Sequence, residues 1–153
     1  GIWRVPIMGD GPERPYLERL AIDLGIKDRV HFESAISSSQ MPAFLQQLDV
    51  LVLSSRTLPN WKEQFGRVLV EAMACEVPII GSNSGEIPNV IGDGGLIFAE
   101  DDVAALGQHL IELMQSEDQR RQLGQFGRQR VLAMYTQAQV AAQTVDVYRE
   151  LMN

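Results

Sequence analysis

Short runs of apolar and β-branched residues alternate along the chain with stretches whose apolar positions recur every three or four residues. WRVPIM, VHF, DVLVLSS, VPIIGS and GLIF read as strands closed by turn residues. Helical spacing falls near residues 13–24, 39–47, 66–75, 86–91 and 102–115. This alternation predicts an α/β fold with a parallel sheet and flanking helices. Every position from Val50 to Leu53 is apolar, as suits a strand covered on both faces. After Phe98 the pattern is helical only and predicts a helical tail over about 101–153, with Leu106, Leu110 and Leu113 on one face and Val140, Thr144, Val147, Tyr148 and Leu151 on another. Gly124 and Gly127 interrupt QRRQLGQFGRQRV. Each costs about 1 kcal/mol relative to alanine inside a helix, which predicts a bend or break there.

The composition leaves that picture intact and narrows the partners. The 153 residues are 45% hydrophobic and 22% charged, near the averages for soluble globular domains, and no apolar run approaches the roughly 20 residues that span a bilayer. A formal charge of −7 argues against general nucleic-acid binding, which needs dense Lys and Arg. An anionic ligand would be met instead by helix N-termini and a few placed cations such as Arg56, Lys62 and Arg67. Cys75 is the only cysteine, which excludes a disulfide scaffold; within EAMACEVP its spacing is that of a small buried hydrophobe. The chain opens on GIWRVPIMGDG, a strand-like run already under way, and reads as part of a longer polypeptide.

Three segments carry candidate chemistry. In GDGPER, between a strand and a helix, Gly9 and Gly11 permit a tight turn and Pro12 suits a first helical turn. The full dinucleotide spacing is lacking, so a purely structural turn is at least as good a reading. In EQFGRVLVEAMACEVPII a loop bearing Glu63 enters a helix at Gly66, and that helix bears Glu71. Its free N–H groups and positive dipole end would lie between the two glutamates and offer a docking point for a diphosphate. Ionised carboxylates accept hydrogen bonds from vicinal hydroxyls, so a hexose on one side and a ribose on the other fit the arrangement. In SNSGEIPNVIGDGG, Gly85 and Glu86 belong to the same rim, beyond the carboxyl ends of the strands, although an acidic residue in a first helical turn is stabilising without a ligand. Trp61 and Lys62 stand in the loop before Glu63, where an aromatic either stacks on a sugar face or packs the loop. His31 and His109 have no nucleophile or metal-ligand partner placed with them and read as structural.

Taken together, IMGDGPER, DRVHF, DVLVLSSR, the E-x(7)-E stretch from Glu63 to Glu71, SGEIPNVIGDGGLIF and LGQFGRQRV resemble the carboxyl-terminal domain of the group 1 retaining glycosyltransferases of GT-B fold, over essentially the whole chain. The resemblance implies a Rossmann-like donor-binding domain, partial over 1–153. Glu63 would contact and position the donor sugar and Glu71 the ribose hydroxyls, while the backbone at Phe65, Gly66, Val68 and Leu69 would surround sugar and diphosphate. The turn of Gly9 and Gly11 would also face the donor. The sequence departs from the family at Gln64 and Ser34, where members commonly carry glycine.

The donor implied is a UDP-, GDP- or ADP-sugar, used without cofactor or obligatory metal by a cytoplasmic hexosyltransferase that retains anomeric configuration. The family's first strand and helix, with an Arg and a Lys for the leaving diphosphate, and its amino-terminal acceptor domain would precede residue 1. The expected consequences are a gap or a direct pairing between the strands at 3–8 and 49–54, and no transfer by these residues alone. No feature here indicates membrane association. A sugar-nucleotide epimerase of the same fold and a non-catalytic nucleotide-sugar-binding module are the alternatives.

Overall fold

A computed structural model describes residues 3–152. The chain divides into two compact units, Gly1–Met41 and Pro42–Asn153. In the first, strand β1 (Val5–Met8), helix α1 (Arg14–Asp23), a 3-10 turn (Lys27–Arg29) and strand β2 (Val30–Glu33) form a strand–helix–strand unit. β1 and β2 pair in parallel, Val5 with Val30 through Met8 with Glu33. Parallel strands need a crossover between them, and α1 supplies it. The proline of its first turn is Pro15; Pro12 precedes the capping residue Glu13, so the expected role passes to the next proline along.

α2 (Met41–Leu45) begins on the last residue of the first unit and leads, in the second, to β3 (Leu51–Leu53), α3 (Arg67–Ala74), β4 (Ile79–Ser82), α4 (Ile87–Ile91), β5 (Gly95–Phe98), α5 (Val103–Gln115), α6 (Glu117–Met134) and α7 (Gln137–Met152). The sheet is parallel, in the order β3-β4-β5. All four residues of β4 are buried, as the middle strand of a sheet covered on both faces requires. Ile80 joins Phe98 and Leu113 of α5 on one face, while a side chain at Gly81 would run into Ile87 and Ile91 of α4 on the other. α3 buries Leu69, Ala72 and Met73, three positions on one helical stripe.

Two expectations change. β3 is not covered on both faces: it is an edge strand with Val52 37% exposed, and the doubly covered strand is β4. An unbroken apolar run cannot tell an edge from a centre, because that depends on strand order. The described strands fall in two sheets, β1-β2 and β3-β4-β5, and β1 and β3 do not pair.

The second change concerns α6, which runs through Gly124 and Gly127 without a break. Both glycines are buried. A Cβ at Gly124 would overlap the Glu76 carbonyl oxygen, and one at Gly127 would come 2.9 Å from Met73 Cγ. The glycines admit the end of α3 against α6, and the packing gained outweighs their poor helix propensity. The same helix sends Arg128 to the Ala74 carbonyl at the end of α3 (2.6 Å) and Arg130 to the Asn89 and Val90 carbonyls in α4 (2.6 and 2.9 Å). Cations at helix C-termini satisfy carbonyls left without intrahelical partners.

Candidate functional site

Three connections, from β3 to α3, β4 to α4 and β5 to α5, leave the carboxyl ends of the strands, where an open parallel sheet presents its loops. The longest runs from β3 to α3 and carries Glu63. It reaches α3 through Gly66, whose φ of 72° and ψ of 62° place it in the left-handed region that a side chain would strain. Gly66 is the N-cap but has no side chain with which to cap, and Glu63 takes over: its Oε1 accepts the Gly66 amide at 3.0 Å. Oε2 accepts the Ser55 hydroxyl at 3.3 Å. Each carboxylate oxygen has two acceptor positions, so capacity remains on Glu63 for hydroxyl donors from outside.

The Glu63 carbonyl is held as well, by the Glu86 amide at 3.0 Å. Gly85 stands against it with φ of 52°, and a Cβ there would overlap the Glu63 carbonyl oxygen. Glu86 thus contributes its amide to the loop, while its carboxylate accepts from Asn89 Nδ2 at 2.8 Å within α4.

Behind Gly66 the amides of Arg67 and Val68 open α3 and precede any carbonyl four residues back within the helix. Val68 is half-buried, and Leu69 is fully buried with its amide on the Gly66 carbonyl at 2.8 Å. The Leu69 amide is therefore already engaged within the first turn, and the buried residue offers a ligand no exposed surface. Phe65 is 41% exposed and packs edge-on against Tyr135, with ring centroids 5.7 Å apart. Glu71, one turn further along α3, is a third exposed and pairs with Arg67 at 3.3 Å. Glu63, Phe65, Gly66, Val68, Leu69 and Glu71 therefore belong to one loop–helix segment of the second unit. Gly9 and Gly11 lie in the first, between β1 and α1, where the Gly9 amide donates to the Glu33 carbonyl at 3.0 Å.

The remaining candidates divide. Trp61 is half exposed and exchanges two backbone hydrogen bonds with Leu58, of 2.7 and 3.2 Å, closing a tight turn. Arg56 is paired with Asp101 at 2.9 Å on the surface. His109 lies on α5 with Nε2 3.3 Å from the Ile97 carbonyl, a packing contact, and His31 is exposed on β2. Cys75 is half-buried, and burial raises its thiol pKa, with Arg128 opposing.

Sequence patterning did not find Ser55, Thr57, Ser84 or Glu100. The Thr57 amide and hydroxyl donate to the two Glu100 oxygens at 2.7 and 2.6 Å, and Thr57 Oγ1 lies 2.9 Å from Oγ of the buried Ser84. These bonds hold the Glu100 carboxyl below its ordinary pKa, the Thr57 hydroxyl first among them. The one signal for Glu100 was positional, since it follows GLIF at the rim. A cleft of about 250 Å³ opens beside it, lined among others by Ser55, Ser82, Phe98 and Leu106.

Among the described residues, no group of three or more His, Cys, Asp or Glu is placed to hold a metal ion, and no helix is long and apolar enough to cross a membrane.

Residues 2–130 match the family model described as "Glycosyl transferases group 1". The chain is 33% identical over 148 residues to an N-acetyl-alpha-D-glucosaminyl L-malate synthase of Bacillus anthracis, covering 95% of this chain and 37% of that protein. It is 36% identical over 136 residues to an MMP alpha-(1->4)-mannosyltransferase of Mycolicibacterium hassiacum, covering 87% of this chain and 32% of that one. Among solved structures, a sucrose-phosphate synthase from Thermosynechococcus elongatus superposes with a TM-score of 0.83 at 28% identity, over 97% of this chain and 38% of that one. The chain thus spans about a third of the length of the curated relatives it matches.

Proposed function

Because the chain belongs to the group 1 glycosyl transferases, we propose that it is the donor-binding part of a longer enzyme that moves a sugar from a nucleotide-sugar to an acceptor with retention of configuration. The observation that carries this reading is the Glu63–Gly66 bond at the entry of α3. It fixes a carboxylate beside the opening amides of a helix whose next turn carries Glu71. On this reading Glu63 accepts from donor-sugar hydroxyls, the Arg67 and Val68 amides meet the diphosphate, and Glu71 accepts from the ribose diol. A carboxylate already engaged by Gly66 and Ser55 costs less to order around a substrate than a free one.

The reading assigns no general acid or base to the pair. Charge developing on the leaving diphosphate is met electrostatically, by helix-end amides and by cations outside these residues, with neither metal nor cofactor required. Transfer then needs an acceptor wall from the rest of the polypeptide, and these 153 residues alone bind donor without turning it over.

Titration calorimetry with UDP-, GDP- and ADP-sugars tests the reading. One nucleotide class should bind, and Glu71→Ala should weaken its nucleoside diphosphate about tenfold, the scale of one lost charge-assisted hydrogen bond. Undiminished binding by that variant refutes the ribose role.

A further inference from the structure

We propose that Glu100, outside the E-x(7)-E segment, is a positioning residue that sets the place of Glu63 by clamping the β3–α3 loop through Thr57. The inference rests on the donor-binding reading for its consequence, but its geometry stands apart from any ligand.

Glu100 is itself anchored before it holds anything. Its amide donates to Asn83 Oδ1 at 2.8 Å, and the Asn83 amide donates to the Phe98 carbonyl at 2.9 Å, tying the ends of β4 and β5 together. From this anchored backbone the carboxylate engages both the amide and the hydroxyl of Thr57, 43 residues away in sequence. A two-point grip by an ionised acceptor fixes orientation as well as distance. The Thr57 hydroxyl continues to Ser84, whose side chain is fully buried, so the grip is backed by the end of β4.

Between Thr57 and Glu63 the chain is not slack. The reciprocal Leu58–Trp61 bonds close it into a turn, so displacement at Thr57 is carried forward to Glu63. The Glu63 carbonyl on Glu86 and its carboxylate on Gly66 and Ser55 then fix the far end. By contrast, the neighbouring Arg56–Asp101 pair has both side chains about two-thirds exposed and holds little.

Amide hydrogen exchange on the 153-residue chain carrying Glu100→Ala or Glu100→Gln, joined to calorimetry, tests the clamp. Exchange at Thr57 must quicken once its acceptor is gone, so the informative amides are those of Gly66 and Glu86. Relative to Ile80 in the core, these should exchange about tenfold faster in Glu100→Ala and less so in Glu100→Gln, which keeps one oxygen for the Thr57 amide. In the nucleotide class that the wild type binds, with UDP and UDP-glucose or GDP and GDP-mannose as probes, the added affinity due to the sugar should fall about tenfold while the diphosphate alone changes by less than about twofold. Should Glu100→Ala not fold, Thr57→Val, which retains the amide bond and loses the hydroxyl, carries the same expectation at smaller size.

Faster exchange confined to Thr57, or an equal rise at Ile80, overturns the proposal, because Glu100 would then be a local cap or a general stabiliser. A wild-type chain that binds no sugar nucleotide defeats the donor-binding reading instead, while the exchange pattern still decides the clamp.

Discussion

The Glu63 carboxylate accepts the amide of Gly66 at 3.0 Å, so the residue proposed to read the donor sugar is also the cap of the helix proposed to receive the diphosphate. Substitution at Glu63 therefore has two separable effects. Glu63→Ala should lower stability by about 1 kcal/mol through loss of the cap, seen in urea denaturation. It should also weaken sugar-nucleotide binding about tenfold more than binding of the bare nucleoside diphosphate, seen in calorimetry. Equal losses for the two ligands would refute direct sugar contact.

Gly124→Ala sets helix propensity against packing. In an exposed helix the change would stabilise by about 1 kcal/mol. Here the new methyl meets the backbone carbonyl of Glu76, which cannot turn aside as a flexible side chain does. Net destabilisation of about 1–3 kcal/mol is expected from thermal or urea unfolding. A stabilised variant would show that α3 and α6 lie further apart.

Much of the architecture was legible because burial leaves a period in the sequence. VPIIGS is apolar over its first four residues and becomes the buried central strand, and Asp102, where a helix was expected to begin, accepts the Ala105 amide at 2.9 Å as its N-cap. Strand order leaves no such trace: the run from Val50 to Leu53 suited a strand covered on both faces, yet β3 stands at the edge of β3-β4-β5 with Val52 37% exposed. Local propensity likewise misjudged Gly124 and Gly127, because the neighbour that requires them, the end of α3, is about fifty residues away. Within the candidate site, the entry of α3 at Gly66 could be read from its local pattern, whereas the Thr57–Glu100 contact joins two loops that share no period.

Arg130 is the next position to test. It donates to two carbonyls in α4 and lies with its guanidinium 6.0 Å from the centre of the Tyr135 ring, the ring on which Phe65 packs. Arg130→Met keeps most of the stem and removes the donors, and should cost about 1.5–3 kcal/mol, the range for hydrogen bonds from a charged group. A far smaller loss in denaturant unfolding would mean that water replaces the guanidinium at no cost.

Acid should act on Glu100 with a definite sign. Its folded pKa lies below the ordinary glutamate value, chiefly because the Thr57 hydroxyl and then the Thr57 amide favour the charged form. Its contribution to stability is thus fully present above the unfolded value and is lost as pH falls through the lower folded one. Wild type and Glu100→Gln should therefore differ most in unfolding midpoint at neutral pH and converge in acid below the folded value. Parallel curves across that window would show that the carboxylate is not what Thr57 prefers.

The glycines of α6 bring one further consequence, a matter of tolerance. Contacts between apolar side chains can give by a few tenths of an ångström and re-form, so they locate a helix only loosely. A backbone carbonyl seated in a notch that no methyl can share works as a hard stop, like the shoulder of a gauge block. α3 is stopped in this way at the end remote from Gly66, and the residues on it inherit that setting. Sequence drift across the exposed face of α6 is then cheap, while a single added carbon in the notch would move the reference point itself.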